Sequence, residues 1–310
     1  MTFVLFLPDG SCAAIPDERT GLRLPHGAVL PGEHYLLDTS LRVPLETAGF
    51  RMQRVGPFAT DDGLAYAWLD GDRYSGTRPH ATVALIVDTA AGIAGRLEAA
   101  GKQLDARAVR DADHSFRHQS DVDYYAGNLR LLEPAYLRGT TPQAGSGFGG
   151  DAELWRLRRG QVVAGIDRDG TFLDVGCANG LLMESVVAWS EHHIEPYGVD
   201  IGPGLVELAR RRLPQWADRI EVGNAIDHRP ARRFTFVHVL LDLVPVARRA
   251  DLIRHALAAY VEPGGRLLVS HYARPGGASA GDQLRASGFE VAGEASAPDG
   301  SATIAWLEAG

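Results

Sequence analysis

From about residue 161 onward the chain alternates short apolar runs with segments whose apolar residues recur at helical spacing. The runs read TFLDVG, GLLMESVVAW, EPYGVD, GLVELARRRL, RIEVGNA, FTFVHVLL, RADLIRHALAAYV and GRLLVSHY. A strand that must cross a helix before the next strand begins pairs in parallel with it, and the helices cover both faces of the sheet. The pattern breaks at the end. FEVAGEAS and SATIAWLEA are two strand-like runs joined by Pro298-Asp299-Gly300, a turn sequence, so the sheet is expected to finish in an antiparallel hairpin. No other feature of the chain constrains its fold as tightly, and it defines an α/β domain over residues 161–310.

The first turn of that domain is glycine-rich. The run Phe172 to Val186, FLDVGCANGLLMESV, places Gly176 and Gly180 just after an apolar strand that ends in Asp174 and Val175. Ligands of doubly wound folds bind at the carboxyl edge of the sheet, where glycine lets them approach the backbone. The spacing is G-x-x-x-G, so the dinucleotide fingerprint G-x-G-x-x-G is absent. A second acid, Asp200, ends the next strand, where a carboxylate can accept from both hydroxyls of a ribose. The turn Val222 to Ala225, VGNA, ends a third strand, and its amide side chain and backbone could meet an adenine edge.

With LDVGCANG, GVDIG, GNA and VEPGGRLLVSHY in this order, residues from about 165 to 310 resemble the class I S-adenosylmethionine-dependent methyltransferases. The resemblance implies a Rossmann-like seven-stranded sheet with a terminal antiparallel hairpin, and S-adenosyl-L-methionine as cofactor. It also implies that Asp174, Gly176, Cys177, Ala178, Gly180, Asp200, Ile201, Asn224, Ala225 and Leu240 line the cofactor site. Asn224 stands where the family commonly has aspartate. Cys177 is read as a small loop or core residue in preference to a reactive thiol.

Methyl transfer needs a nucleophile aligned with the sulfonium methyl, and a base where that nucleophile carries a tightly held proton. Asp242, just after FTFVHVLL, is the first candidate for that base, with a turn carboxylate as the alternative. His271 and Tyr272, which end GRLLVSHY, are the next candidates. His238 lies inside its strand and is expected to be a hydrogen-bonded core histidine. The tetrapeptide of amino-directed nucleic-acid methyltransferases is missing, since the sequence there reads LDLVP, and no acid cluster suggests a metal. The expected acceptor is therefore a small molecule methylated on O, N or C.

More than half of the chain precedes the glycine loop. Residues 113–160 carry VDYYAGNLRLLEPAYL at helical spacing, a connector GTTPQAGSGFGGD, and a second helix AELWRLRRG. The methyltransferase resemblance implies that this block forms a helical linker and lid over the cofactor. Phe148, Trp155 and Arg159 would supply aromatic packing and a partner for the methionine carboxylate, while Tyr124 and Tyr125 face substrate or pack the helix. Residues 1–112 mix the strand-like TFVLFL, LAYAWLDG and TVALIVDT with helical segments near 33–48 and 91–104, an α+β pattern. Within them, LPHGAVLPGEHYLLDTSLRVPLETAGF resembles a degraded Nudix box. Gly27, Glu33 and Glu46 match it, Arg42 matches after one insertion, and Leu45, Thr47 and Pro44 depart from it. So few carboxylates provide poorly for hard divalent ions. The block is read as a Nudix-like or unrelated α+β fold without hydrolysis, serving substrate binding or homodimerisation. Alternatives are a bifunctional methyltransferase and hydrolase of a nucleoside diphosphate derivative, and a cofactor-binding regulator without turnover.

Bulk composition narrows the partners. A net charge of −8 opposes general affinity for nucleic acid or anionic membrane. No run approaches the roughly 18 apolar residues of a membrane span, and the N-terminus lacks the basic start of a signal peptide. Cys12 and Cys177 have no CxxC partner, so neither a disulfide framework nor a thiolate metal site is expected. Lys102 is the sole lysine, an arginine bias that suggests a bacterial, cytoplasmic protein.

Overall fold

The computed structural model describes residues 2–6, 11–24, 50–59, 65–73, 85–118, 121–244, 248–272 and 278–310. They fall into two units, Met1–Leu132 and Glu133–Gly310. Gly27, Glu33, Arg42, Glu46 and the helical segment expected at 33–48 lie outside the described residues.

The first unit holds a mixed sheet of β1 (Thr2–Phe6), β2 (Cys12–Asp17), β3 (Gly21–Arg23), β4 (Phe50–Ala59), β5 (Ala65–Arg73) and β6 (Ile86–Asp88). The strands run β3-β2-β1-β5-β4, with β6 paired to β2, and β1 is parallel to β5. The helix read at 91–104 is in fact two, α1 (Ala90–Ala99) and α2 (Gln103–His118). Gly101 causes the break. At φ +80 or near it a β-carbon is unwelcome, and Gly101 sits at φ +76. Lys102 N donates to Leu97 O at 2.8 Å and Gly101 N to Glu98 O at 2.9 Å, the paired bonds of a Schellman stop. Ala90, Ile93, Ala94 and Leu97 form the buried stripe of α1, packed with Val4, Phe6, Cys12 and Val109. The chain then enters α3 (Asp121–Leu137), within which the two units divide.

The second unit is the alternating block. After α4 (Ala152–Arg159) come β7 (Gly170–Val175), α5 (Leu181–Trp189), β8 (Ile194–Asp200), α6 (Pro203–Arg212), β9 (Ile220–Val222) and β10 (Phe234–Leu240). They are followed by α7 (Arg249–Ala259), β11 (Val261–His271), α8 (Ala280–Ala286), β12 (Gly293–Ser296) and β13 (Thr303–Glu308). The seven strands lie in the order β12-β13-β11-β10-β7-β8-β9. Those from β9 to β11 are parallel, and β13 is antiparallel to both β11 and β12, as the turn sequence led us to expect. Continuous apolar runs follow from burial on both faces: Phe172, Phe236, Leu268 and Ile304 come from four strands and share a core with Trp155, Leu182 and Val186. Helix α8 was not anticipated. It starts on a capping box, with Ser279 Oγ accepting from Asp282 N and the Asp282 carboxylate accepting from Ser279 N.

Candidate functional site

Strand order decides where a ligand can sit. The chain leaves β7 in one direction toward β8 and β9, and in the other toward β10 and β11, so the order reverses beside β7. Helices that depart to opposite faces open a crevice at the carboxyl ends of such strands. Asp174 and the glycine loop, Asp200, Leu240 with Asp242, and His271 with Tyr272 occupy the ends of β7, β8, β10 and β11.

The glycine loop is a tight left-handed turn. Gly176 and Gly180 have φ of +80 and +77, and Ala178 is held at φ +47, a conformation uncommon for a residue with a side chain. Its neighbours hold it there. Gly176 N and Cys177 N donate to Val199 O, Gly180 N donates to Cys177 O, and Ala178 N donates to Asp200 Oδ2 at 2.8 Å. The other Asp200 oxygen accepts from Gly202 N at 2.8 Å. Asp200 is thus a 7 % exposed carboxylate that braces the loop against the start of α6. Burial drives its pKa up to about 6, opposed by those two backbone hydrogen bonds and assisted by the charges of Asp174 and Glu133. Ile201 beside it is half-buried.

Around this centre the expected residues separate into groups. Asn224 turns its side-chain oxygen to Ile226 N at 3.3 Å, and Ala225 offers its carbonyl to the Tyr260 hydroxyl at 3.0 Å. Leu240 is half-buried at the end of β10. Cys177 is buried, and burial together with Asp200 and Asp174 pushes its thiol well above the usual range, which suits a packing residue and not a nucleophile. Trp155 is a core side chain whose indole N–H donates to Ser185 Oγ at 2.9 Å, with Phe148 edge-on at 5.2 Å. Asp242 is exposed on a 3-10 turn, Leu241–Leu243, and His271 and Tyr272 are half-buried. Tyr124 and Tyr125 belong to the first unit, where their rings meet edge to face at 5.3 Å.

Arg159 differs from all of these. The residue is 8 % exposed, its guanidinium lies 4.3 Å from the Tyr272 ring centre and 5.0 Å from that of Trp155, and its Nε and Nη1 have no hydrogen-bond partner among the described residues. The Tyr272 hydroxyl is likewise buried and without a partner among the described residues. Burial lowers the Arg159 pKa to about 10, with Asp242 first, then Asp174, working to keep it charged. An unpaired buried guanidinium is costly unless an anion completes it.

Four residues were not singled out as site residues in the sequence. Asn179, buried, donates through Nδ2 to Pro142 O at 2.8 Å and accepts at Oδ1 from Leu181 N, which fastens the 139–147 connector to the glycine loop. Glu133 Oε1 accepts from Gly204 N at 2.5 Å, placing an acid at the positive end of α6. Tyr136 lies near Asp242 and Asp200, and burial, then those charges, raises its hydroxyl pKa above the usual phenol range. Ser270 is hydrogen-bonded to His238, which also reaches Asp174. Asn179 had a signal, as a polar residue inside a glycine loop. The others had none, because their partners are remote in sequence.

No family model and no curated protein sequence matches the chain. Solved structures do match part of it. The N-methyltransferase NodS from Bradyrhizobium japonicum WM9, in complex with S-adenosyl-L-homocysteine, is 15 % identical over 59 % of this chain and 98 % of its own, at a TM-score of 0.45. The pyocyanin biosynthetic protein PhzM is 16 % identical over 64 % of each chain, at 0.43. A SAM-dependent methyltransferase from Aquifex aeolicus is 15 % identical over 52 % of this chain and 94 % of its own, at 0.40. These scores are too low to carry weight, and the fold rests on the strand order itself.

Proposed function

We propose that the second unit binds S-adenosyl-L-methionine and transfers its methyl group to a small-molecule acceptor. The observation that carries this reading is the seven-stranded order with its terminal hairpin, with a glycine loop and Asp200 on adjacent strands at the switch point. The residues present fit the cofactor. Asp200 accepts from the ribose hydroxyls, the Asn224–Ala225 turn meets the adenine, and Gly176 to Gly180 with Ile201 and Leu240 line the path between. Arg159, whose unpaired nitrogens call for an anion, takes the carboxylate. Asp174 takes the ammonium. When bound, S-adenosylmethionine supplies an electrophilic methyl on a sulfonium.

The rest of the chemistry belongs to the protein. Asp242, His271 and Tyr272 stand at the ends of β10 and β11, and we assign Asp242 the proton leaving the acceptor. The first unit is a noncatalytic Nudix-like module for substrate binding or self-association, supported by the box residues quoted from the sequence. No described helix is long and apolar enough to cross a membrane. The test is labelled methyl transfer from S-adenosylmethionine to a metabolite pool, with the product identified by mass spectrometry. Cofactor binding without transfer to any pool would favour a regulatory protein.

A further inference from the structure

Three polar side chains are buried in a row through the middle of the second sheet. Asp174 on β7 is 3 % exposed, His238 on β10 is 1 % and Ser270 on β11 is 2 %. His238 and Asp174 are paired in register, and His238 Nδ1 lies 2.9 Å from Asp174 Oδ1. On the other side of the ring, Nε2 lies 2.9 Å from Ser270 Oγ. Phe172 stacks on the imidazole, with ring centres 6.4 Å apart and planes at 21°.

In the tautomer with the ring proton on Nδ1, His238 donates to Asp174 and its Nε2 accepts from the Ser270 hydroxyl. The chain of donors then runs from Ser270 through His238 and ends on Asp174. No other hydrogen bond to the Asp174 side chain is found among the described residues. Asp174 also acts electrostatically on Arg159, the buried guanidinium with two nitrogens unpaired among the described residues. A fixed anion and a fixed cation with unused hydrogen-bonding atoms suit the zwitterionic end of an amino acid. Apolar residues at 238 and 270 would fill the sheet more simply, but would leave the carboxylate buried without its donor.

Resting on the cofactor reading above, we propose that His238 is a positioning residue: it holds the Asp174 carboxylate toward the cofactor's ammonium, and Ser270 fixes its tautomer. It touches no reacting atom and acts through Asp174, in the way that hydrogen-bonded outer groups orient metal ligands.

The experiment compares two ligands on the full-length protein by calorimetry. S-adenosylhomocysteine carries the amino-acid end, whereas 5′-methylthioadenosine has the same nucleoside without it. His238→Leu is expected to weaken S-adenosylhomocysteine about tenfold, the loss of roughly one hydrogen bond to a charged group, and to leave methylthioadenosine within about twofold. His238→Asn, whose amide nitrogen stands near the place of Nδ1, is expected to recover most of that loss. Ser270→Ala, the second variant should the leucine protein fail to fold, is expected to cost about threefold on S-adenosylhomocysteine alone. Equal losses on both ligands, no loss on either, or an asparagine variant no better than leucine would overturn the proposal. A wild-type protein that binds neither ligand would instead overturn the cofactor reading beneath it.

Discussion

Under the proposed function, Asp200 serves two ends that pull against each other. Ribose binding would need its carboxylate ionised, while burial holds the pKa up at about 6, even with two backbone N–H donors on it. The sign is fixed by linkage. A raised acid binds its proton more tightly in the folded state, so its contribution to stability falls as pH rises from 3.8 to about 6. Cofactor affinity runs the other way and should rise across about pH 6. Affinity near pH 5 is expected to be about tenfold below that near pH 8, in step with the ionised fraction. A flat profile by calorimetry would remove Asp200 from the ribose. Asp242 carries a separate expectation. As the acceptor's base, Asp242→Asn should lower kcat about 10²–10⁴-fold with cofactor affinity unchanged. A near-normal kcat would leave it a turn carboxylate.

Elements were legible where a local pattern repeats, and illegible where one residue or a distant partner decides. The strands β7 and β10 announce themselves because burial on both faces demands largely apolar runs such as TFLDV and FTFVHVL. The division between α1 and α2 was missed because both flanks keep helical spacing, and the stop depends on Gly101 alone. Helix α8 was missed although Ser279 and Asp282 spell its capping box, since seven residues are too few to show a period. His238 is the hydrogen-bonded core histidine its strand position suggests, but its partners Asp174 and Ser270 could not be read. These residues lie 64 and 32 positions apart and meet only because β10 falls between β7 and β11. One prediction tests an element directly. Ser279→Ala removes the acceptor for Asp282 N and should destabilise the second unit by about 1 kcal/mol, read as a lowered urea midpoint. An unchanged midpoint would show that α8 does not depend on its cap.

On the scale of the whole molecule, the two units invite different tests. In the segment we propose to be Nudix-like, Leu45 and Thr47 flank Glu46, which leaves only Glu33 and Glu46 as acids of the box, and hard divalent ions want several oxygen ligands. Full-length protein with magnesium or manganese should release no phosphate from nucleoside diphosphate sugars, dinucleotides or nucleoside triphosphates. Turnover that vanishes in Glu46→Gln would make the first unit a hydrolase. The central claim, however, belongs to the second unit, and one titration tests it most directly. Calorimetry of the wild-type protein with S-adenosylhomocysteine should give saturable binding at one ligand per chain, and a folded Asp200→Ala variant should bind about tenfold more weakly or worse, at roughly 1.5–3 kcal/mol for lost hydrogen bonds to a charged group. Absence of binding to the wild type, or affinity untouched by the substitution, would contradict the assignment of this crevice to the cofactor.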